Sequence, residues 1–284
     1  VAGYDLVRLQ YGALGSLGVI TAANFKLQPL PESSGAAIGT FATPAAAEPV
    51  VRQLLAARLQ PAAVLLVSTA ESALPKRWLL CVRFDGSQRA VLRQTGEVVE
   101  WLRAAGGSQA DALDAKGVDK LWPALVDFSQ MAEVGDSEVL LRVNVRSSDG
   151  LATLSAYAAQ CEALGLSVAA LADAGCGVIW LRIQAPDDRL VGRLGGTLPG
   201  LLQEWRAQRT QIVVATAPPG LKAGLDLWGP PPPALTVMQR LKMRFDPDHV
   251  LNPGRDLVSA SLMAGGRGEM GRALPAESGA SHVG

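Results

Sequence analysis

Three glycines near the start of the chain, Gly12, Gly15 and Gly18, recur at every third position. Each glycine inside a helix costs roughly 1 kcal/mol, so this spacing favours a turn in which the backbone passes close to a ligand or to a neighbouring segment. Residues 19–27 then alternate between two faces, which predicts a β-strand. Such a loop can present backbone N–H groups to a phosphate or a flat heterocycle. It can equally be a tight turn packed on its own domain, and the spacing alone leaves both interpretations open.

A second turn-forming segment lies near the other end of the sequence. Four prolines, 230–233, form a stiff connector into a predicted helix over 235–245, which Asp246-Pro247-Asp248 ends. The residues Asn252-Pro253-Gly254 that follow predict a tight turn, and this turn fixes the direction of the Asn252 side chain. Taken alone, the turn is a structural feature.

The composition excludes several kinds of function. The formal net charge is zero, with 26 basic and 26 acidic residues, whereas a nucleic-acid surface needs a basic excess. The sequence has two histidines, His249 and His282, which is too few for the usual metal clusters or for a recognisable hydrolytic triad. The glycine loop has no following Lys-Ser or Lys-Thr and no preceding strand, which disfavours both a Walker loop and a nicotinamide-binding Rossmann motif. No apolar run reaches the length of a membrane span.

The three cysteines, Cys81, Cys161 and Cys176, are far apart in the sequence. We interpret them as buried free thiols, since neither a disulfide framework nor a set of metal ligands has this spacing. Free thiols indicate a reducing compartment, most simply the cytoplasm.

Four arginines alternate with apolar residues in predicted strands: Arg83, Arg142, Arg146 and Arg182. Their side chains leave the sheet on its less apolar face. Arginines on an open face can bind a carboxylate substrate through two hydrogen bonds, or they can simply belong to a solvated or intersubunit face.

The order of predicted elements is strand, helix, strand, strand, helix, given twice, with one further strand over 211–215. This order predicts an α+β fold with a ferredoxin-like layer, an antiparallel sheet with helices on one face. Residues 32–35 are predicted as a linker, 118–128 as helical, and 187–209 as a helix interrupted by Gly195-Gly196 and Pro199-Gly200. Residues 259–284, rich in Gly, Ala and Ser, are predicted to be a disordered tail.

Together these segments resemble a known family. The start of the chain, Val1-Ala2-Gly3-Tyr4-Asp5-Leu6, with the glycine loop and Pro29-x-Pro31, is similar to the end of the PCMH-type FAD-binding domain of vanillyl-alcohol oxidase-type flavoproteins. Residues 241–255, Leu-Lys-x-x-Phe-Asp-Pro-x-x-Val-Leu-Asn-Pro-Gly-Arg, resemble the C-terminal return of that family to the flavin. Within the family, residues 225–230 resemble the FAD-binding subunits of glycolate oxidases of the GlcE type.

The resemblance implies that FAD is the cofactor and that Asn252 reaches toward the flavin ring. It implies residues 1–31 as the end of the FAD-binding domain, 32–229 as the ferredoxin-like cap, and 230–258 as the segment that returns to the FAD domain. It also implies FAD contacts from Ala2, Gly3, Tyr4, Gly12, Gly15, Gly18, Val19 and Ile20, with the Ile20 backbone facing the adenine side.

The function implied is oxidation of glycolate to glyoxylate, with electrons passing through flavin to an iron–sulfur partner. The partners implied are a catalytic flavoprotein subunit and an iron–sulfur subunit, in the cytoplasm or peripheral to the inner membrane through those subunits. Two alternatives stay open: a self-sufficient D-lactate-like 2-hydroxy-acid dehydrogenase, and a non-catalytic assembly subunit.

Two departures from the family pattern limit what carries over. The family's glycine-rich pyrophosphate loop belongs upstream of the segments present, so we expect a chain without its N-terminal half, and we expect that chain to be colourless when it is purified alone. The cap also lacks the histidine-rich motif of relatives that oxidise 2-hydroxy acids, and Leu14 stands where many of them have glutamate. These departures assign catalysis to a partner chain and leave the catalytic residues of this chain unknown.

Overall fold

A computed structural model describes residues 3–69, 77–129, 138–185, 188–208, 210–222 and 224–258 of the chain. The chain divides into two compact units. The first, Gln28–Gly229, is called the sheet unit below. The second, called the terminal unit, is formed by Val1–Leu27 together with Pro230–Gly284.

The sheet unit alternates strands and helices. Its strands are β1 (Ser33–Phe41), β2 (Ala63–Thr69), β3 (Arg77–Gly86), β4 (Ser108–Leu113), β5 (Glu138–Asn144), β6 (Ser167–Asp173), β7 (Val178–Gln184) and β8 (Gln211–Thr216). Its helices are α2 (Pro44–Ala56), α3 (Gln88–Ala104), α4 (Ala115–Val126), α5 (Gly150–Ala163), α6 (Asp188–Ala207) and the short α7 (Pro219–Lys222). The terminal unit contributes α1 (Leu6–Gln10) and α8 (Leu235–Phe245).

The eight strands of the described chain form one antiparallel sheet in the order β4-β1-β3-β2-β6-β7-β5-β8. The order is symmetric about its centre: β1 to β4 with α2 and α3 make one half, and β5 to β8 with α5 and α6 repeat the same connections in the other. The halves join where β2 pairs with β6, with Leu66 opposite Ala172. The predicted α+β class with a duplicated ferredoxin-like layer is confirmed.

One face of the sheet holds the main core. Along β3, alternate residues Trp78, Leu80, Val82 and Phe84 are buried on this face, as expected for a strand with a period of two. They pack against apolar residues of α2, α3, α5 and α6. Each such side chain contributes about 1.5–3 kcal/mol through removal of its apolar surface from water, so this face fixes the register of the strands.

The opposite face is covered in part by α4 and the 3-10 turn that follows it, Asp127–Ser129. Val118, Leu125 and Phe128 from this segment pack against a second, smaller cluster that includes Cys81 of β3 and Leu171 of β6. The sequence predicted helical structure here but did not place it on this face.

Several details of the predicted elements are wrong. Residues 33–35, predicted as a linker, begin β1. The polar edge strand β4 was not predicted at all, because Ser108–Leu113 has no apolar alternation. Helix α6 is continuous through its glycines and Pro199, because the buried side chains at Leu194, Leu198 and Trp205 hold one face of it in the core.

The predicted strand over 19–27 is also wrong. Residues 18–27 carry no regular secondary structure, and Val19, Phe25 and Leu27 are exposed. A strand needs a neighbouring strand to accept and donate its backbone hydrogen bonds, and no strand of the described chain pairs with this segment.

Candidate functional site

The glycine loop of the terminal unit is a succession of tight turns that follows α1. Gly12 and Gly15 have φ of 80° and 69°, and Leu14 between them has φ of 54°. The turns are closed by Ser16, whose backbone N–H and side-chain hydroxyl both donate to the Ala13 carbonyl, at 2.9 and 2.7 Å. Positive φ is the backbone conformation that favours glycine, so Gly12 and Gly15 suit the positions they occupy.

Gly15 is required for a second reason, which is its contact with the C-terminal turn. The Asn252 side-chain amide donates to the Leu14 carbonyl. A Cβ added at Gly15 would lie 2.7 Å from the Asn252 amide nitrogen, so a larger residue would push this amide away from the Leu14 carbonyl. Asn252 itself has φ of 43°, so both turns adopt unusual backbone to make this contact.

A buried lysine holds the same two segments together. Lys242, in the last turn of α8, is 1% exposed. Its ammonium donates to the carbonyls of Ser16 at 2.8 Å and Leu251 at 3.0 Å, and to the Asp246 carboxylate at 2.6 Å. An ammonium has three donors, and all three are satisfied, as burial of its charge requires.

Asp246 completes this network from the end of α8. Its carboxylate accepts backbone N–H bonds from Val250 and Leu251, both at 3.0 Å, in addition to the bond from Lys242. The hydrogen bond from Lys242, together with the two backbone bonds, holds the pKa of the Asp246 carboxyl below its usual value. The Asp246 carboxylate therefore stays charged at neutral pH, and its hydrogen bonds to Lys242, Val250 and Leu251 hold the C-terminal turn in place.

The structure brings only part of the predicted site together. Gly15 meets Asn252, but Tyr4, Val19 and Ile20 are 98%, 77% and 66% exposed, and Ala2 lies outside the described residues. Gly3 and Gly12 have open space where a Cβ would lie, and Gly18 has only the Gln10 side chain at 3.5 Å from that position. In this structure the Asn252 amide donates to the Leu14 carbonyl, and the expectation that Asn252 reaches toward the flavin ring stays a prediction.

Lys242 and Asp246 were missed as members of the site. Both belong to the Leu-Lys-x-x-Phe-Asp-Pro segment that carries the resemblance, and their spacing of four residues in a helix is the signal for an ion pair. The spacing alone does not distinguish a solvated pair from a buried one, and the burial comes from the loop packed against it.

The backbone after the glycine loop is free. Within the described chain, residues 17–30 take part in no backbone–backbone hydrogen bond, so their N–H and C=O groups are available to a ligand or to further protein. This arrangement fits a flat cofactor that is recognised through backbone groups and close approach at glycine.

A second set of candidates lies in the sheet unit, on the face opposite the main core. Arg83, Arg142 and Arg182 project from this face, where each guanidinium lies over an aromatic ring: Arg83 over Trp122, Arg142 over Trp180 and Arg182 over Phe128, at 4.5, 5.8 and 5.6 Å from the ring centroids. Cation–π contacts of this kind hold a guanidinium in place. Arg146 was wrongly placed in a strand, since β5 ends at Asn144.

The motif at 225–230 has a structural role. Asp226 accepts from the backbone N–H groups of Trp228 and Gly229 at 3.1 and 3.0 Å. Its carboxylate also pairs with Arg206 of α6 at 3.0 Å, and a further Arg206 nitrogen donates to the Ile212 carbonyl at 2.9 Å. These contacts fasten the end of the sheet unit to α6 and β8.

The three cysteines form no disulfide in the described chain, as predicted, but not all are buried. Cys81 and Cys161 are buried, whereas Cys176 is exposed in the turn between β6 and β7, so its predicted burial is wrong. Among the described residues no group of three or more His, Cys, Asp and Glu side chains is arranged to hold a metal ion. In the same part of the chain, no helix has both the length and the apolar character that crossing a membrane requires.

Comparison with known proteins gives a family match. The family of C-terminal domains of FAD-linked oxidases matches residues 30–189 and 230–255. Over 293 residues the chain is 25% identical to glycolate oxidase subunit GlcD of Bacillus subtilis (strain 168), covering 90% of this chain and 57% of that protein. Over 136 residues it is 30% identical to a probable mitochondrial D-lactate dehydrogenase of Danio rerio, covering 44% of this chain and 27% of that protein.

A solved structure shows the same fold. Alkyldihydroxyacetonephosphate synthase superposes with a TM-score of 0.54 at 14% identity, covering 89% of this chain and 50% of that one. The chain thus spans 57% of the GlcD subunit and 50% of the synthase, which is about half the length of these two relatives. These findings confirm the predicted superfamily of FAD-linked enzymes and its cofactor, while the finer GlcE assignment stays a prediction.

Proposed function

Because the chain belongs to the family of C-terminal domains of FAD-linked oxidases, we propose that it is part of an FAD-dependent oxidoreductase that acts on 2-hydroxy acids. The observation that carries the proposal is the family match, which includes residues 30–189 of the sheet unit and the segment with Asn252. The likeness to a glycolate oxidase subunit over 90% of the chain supports glycolate as the substrate and glyoxylate as the product.

In this proposal residues 1–31 and 230–258 belong to the FAD-binding domain, and residues 32–229 form the cap. Gly12, Gly15 and Gly18 let the backbone approach the cofactor closely, and the free backbone at Val19 and Ile20 is placed to hydrogen-bond it. Gly3 and Tyr4, with Ala2 before them, would line the same cofactor. FAD, when bound, supplies the acceptor for the hydride that leaves carbon 2 of the hydroxy acid.

Asn252 and Lys242 would favour cofactor binding indirectly, because both hold the glycine loop in place. Asn252 holds the Leu14 carbonyl, and Lys242 holds the Ser16 carbonyl. A loop fixed at both positions keeps its N–H groups in one arrangement before the cofactor arrives, which lowers the entropic cost of binding.

The proposed assembly is a glycolate oxidase complex. A relative named as one subunit supports further subunits, and we assign to them a catalytic flavoprotein and an iron–sulfur chain that receives the electrons. The complex would be cytoplasmic, or peripheral to the inner membrane through its partners.

The test is to isolate the affinity-tagged protein with its native partners and to measure its flavin content and the glycolate-dependent reduction of a soluble redox dye. We expect a flavin spectrum and dye reduction with glycolate. Asn252→Ala should lower the flavin content, whereas Arg255→Gln, an exposed residue of the same turn, should not. A flavin-containing complex that reduces no dye with any 2-hydroxy acid would overturn the proposed activity.

A second candidate substrate is D-lactate, which the similarity to a D-lactate dehydrogenase favours. The same assay with D-lactate in place of glycolate separates the two, because the preferred substrate will show the higher kcat/KM. Full retention of flavin with no turnover of either acid would instead favour the assembly-subunit alternative.

A further inference from the structure

Arg83 and Arg182 occupy corresponding positions in the two halves of the sheet. Arg83 of β3 lies opposite Ala36 of β1 and Ala63 of β2. Arg182 of β7 lies opposite Leu140 of β5 and Ala169 of β6. Since β5, β6 and β7 repeat the connections of β1, β2 and β3, each arginine has the same place in its half and projects from the same face.

The two arginines differ in their partners. The Arg83 Nε atom pairs with the Asp85 carboxylate, two residues further along β3, at 3.0 Å. The residue two positions beyond Arg182 is the neutral Gln184. Nε and Nη2 of Arg182 are buried, and among the described residues neither has a hydrogen-bond partner. Within the described part of the second half, no carboxylate takes for Arg182 the place that Asp85 takes for Arg83.

The nearest acidic position in the register does not replace it. Glu138 of β5 lies opposite Gln184, diagonal to Arg182, and forms no ion pair with Arg182 in the described part of the chain. Two buried N–H donors left without an acceptor carry the cost of their lost hydration. A ligand that supplies the acceptor recovers that cost.

The two unpartnered nitrogens define the shape of the acceptor. Nε and Nη2 lie on one edge of the planar guanidinium, and this edge donates two parallel hydrogen bonds to the two oxygens of a carboxylate. The Phe128 ring, centred 5.6 Å from the guanidinium carbon, fixes the plane of the group. Trp122 has the corresponding position over Arg83.

We propose that Arg182 is the anchor of a carboxylate subsite on this face of the sheet, which takes the carboxylate of a small organic acid. That this acid is the 2-hydroxy acid rests on the proposed function; the binding itself does not. Because the guanidinium edge is shielded from solvent, a ligand must displace part of its cover, and Phe128 is the side chain that the structure shows over it.

The test uses the 284-residue chain, without added flavin, and follows the Arg182 Nε–H signal by NMR during titration with glycolate. Glycolamide, which lacks the carboxylate, is the control ligand. We expect a saturable shift with glycolate and none with glycolamide. Arg182→Gln should abolish glycolate binding detected by calorimetry, whereas Arg83→Gln, the matched arginine of the first half, should leave it unchanged.

Two exchanges between the halves test the explanation itself. Gln184→Asp gives the second half a carboxylate at the exposed position that corresponds to Asp85. This carboxylate should pair with Arg182 and so weaken glycolate binding at least about tenfold. Asp85→Asn should free Arg83 and add a second glycolate site. Circular dichroism of each variant will verify folding.

Undiminished glycolate binding in folded Gln184→Asp and Arg182→Gln variants would overturn the proposal, as would equal binding of glycolamide. These results are independent of turnover. If glycolate binds at Arg182 but is not oxidised by the flavin complex, the subsite is supported and the proposed activity is rejected. If glycolate is oxidised without this binding, the activity is supported and the subsite is rejected.

Discussion

The two halves of the sheet have the same topology, but the large aromatic residues of their cores lie in opposite layers. In the first half the large buried aromatic side chains are on the strands, at Phe41, Trp78 and Phe84. They face α2 and α3, whose buried apolar side chains are aliphatic, while Trp101 of α3 packs against this core only partly buried. In the second half they are on the helices, at Tyr157 of α5 and Trp205 of α6, and face aliphatic strands. Total volume and pattern decide whether a core packs. Because either arrangement can fill the core, the two halves share a structure without sharing a residue-level sequence repeat.

The comparison predicts its largest effect at Trp205. This residue is fully buried, and its ring stacks on that of Tyr157 with centroids 4.1 Å apart. Trp205→Ala should lower the free energy of unfolding by about 3–5 kcal/mol through the cavity and the lost stacking. Chemical denaturation of the purified chain measures this.

Leu102→Ala is the matched variant in α3, close to the same place in the first half. It also removes a fully buried side chain, but a smaller one with no ring partner, so it should cost less than Trp205→Ala. A larger loss at Leu102 would show that aromatic volume on the helices is not what holds the second half together.

The next effect concerns one cysteine from each half. Burial raises the pKa of the Cys81 thiol in β3 to about 11, so at pH 8 roughly one molecule in a thousand has the thiolate there. Cys176 is exposed, and the neighbouring Asp173 carboxylate raises the pKa of its thiol above the ordinary value. A maleimide reagent should therefore label Cys176 at pH 8 and leave Cys81 unmodified, as peptide mass spectrometry will show.

The pH dependence has a definite sign. A raised thiol pKa means less thiolate at a given pH, so labelling of Cys176 should accelerate as the pH rises. Asp173→Asn removes the negative charge and should increase the rate at pH 8. Burial keeps the Cys81 thiol protonated in the folded state. The stability that this protonated thiol contributes is complete below the unfolded-state pKa near 8.5. It is lost as the pH rises toward the folded-state pKa of about 11. Rapid labelling of Cys81 in the folded protein at pH 8 would contradict its burial.

Some elements of the two halves could be predicted from the sequence, and others could not. The alternation in β3 and β5 and the helical stripes predicted the fold class, because each element buries one face. Strand β4 was missed because an edge strand of polar residues has no such face. The supposed strand over 19–27 has the right pattern but no partner in the described chain, and a pattern cannot supply one.

The candidate site shows the same division. Gly15 and Asn252 were found from turn chemistry, which is local. Lys242 was not, because its role depends on the carbonyls of Ser16 and Leu251, far apart in the sequence. The free edge of Arg182 likewise becomes visible only when it is compared with Arg83, since the alternation of strand residues is the same for both.

A smaller effect is expected at the seam between the halves. Beyond the backbone pairs of β2 and β6, the Ala170 N–H donates to the Ser68 hydroxyl at 2.8 Å. Ser68→Ala leaves that buried N–H without an acceptor, at a cost of about 1–3 kcal/mol. Ser147→Ala is the control, because its hydroxyl bonds to the Gly175 carbonyl at an exposed position and its loss should cost less than about 0.5 kcal/mol. Equal effects in urea denaturation would mean that the seam does not depend on Ser68.

The smallest effect tests whether the outer faces of the paired helices are equivalent. Gly96 of α3 and Gly196 of α6 both have open space where a Cβ would lie, and neither has positive φ. Alanine at either position should stabilise the chain by about 0.5–1 kcal/mol, since glycine is the poorer helix former and has the more flexible unfolded state. Thermal unfolding of the two single variants should show similar increases in Tm. An increase at Gly96 but a decrease at Gly196 would indicate that α6, which contains Pro199 and three further glycines, relies on flexibility that its counterpart in the first half does not need.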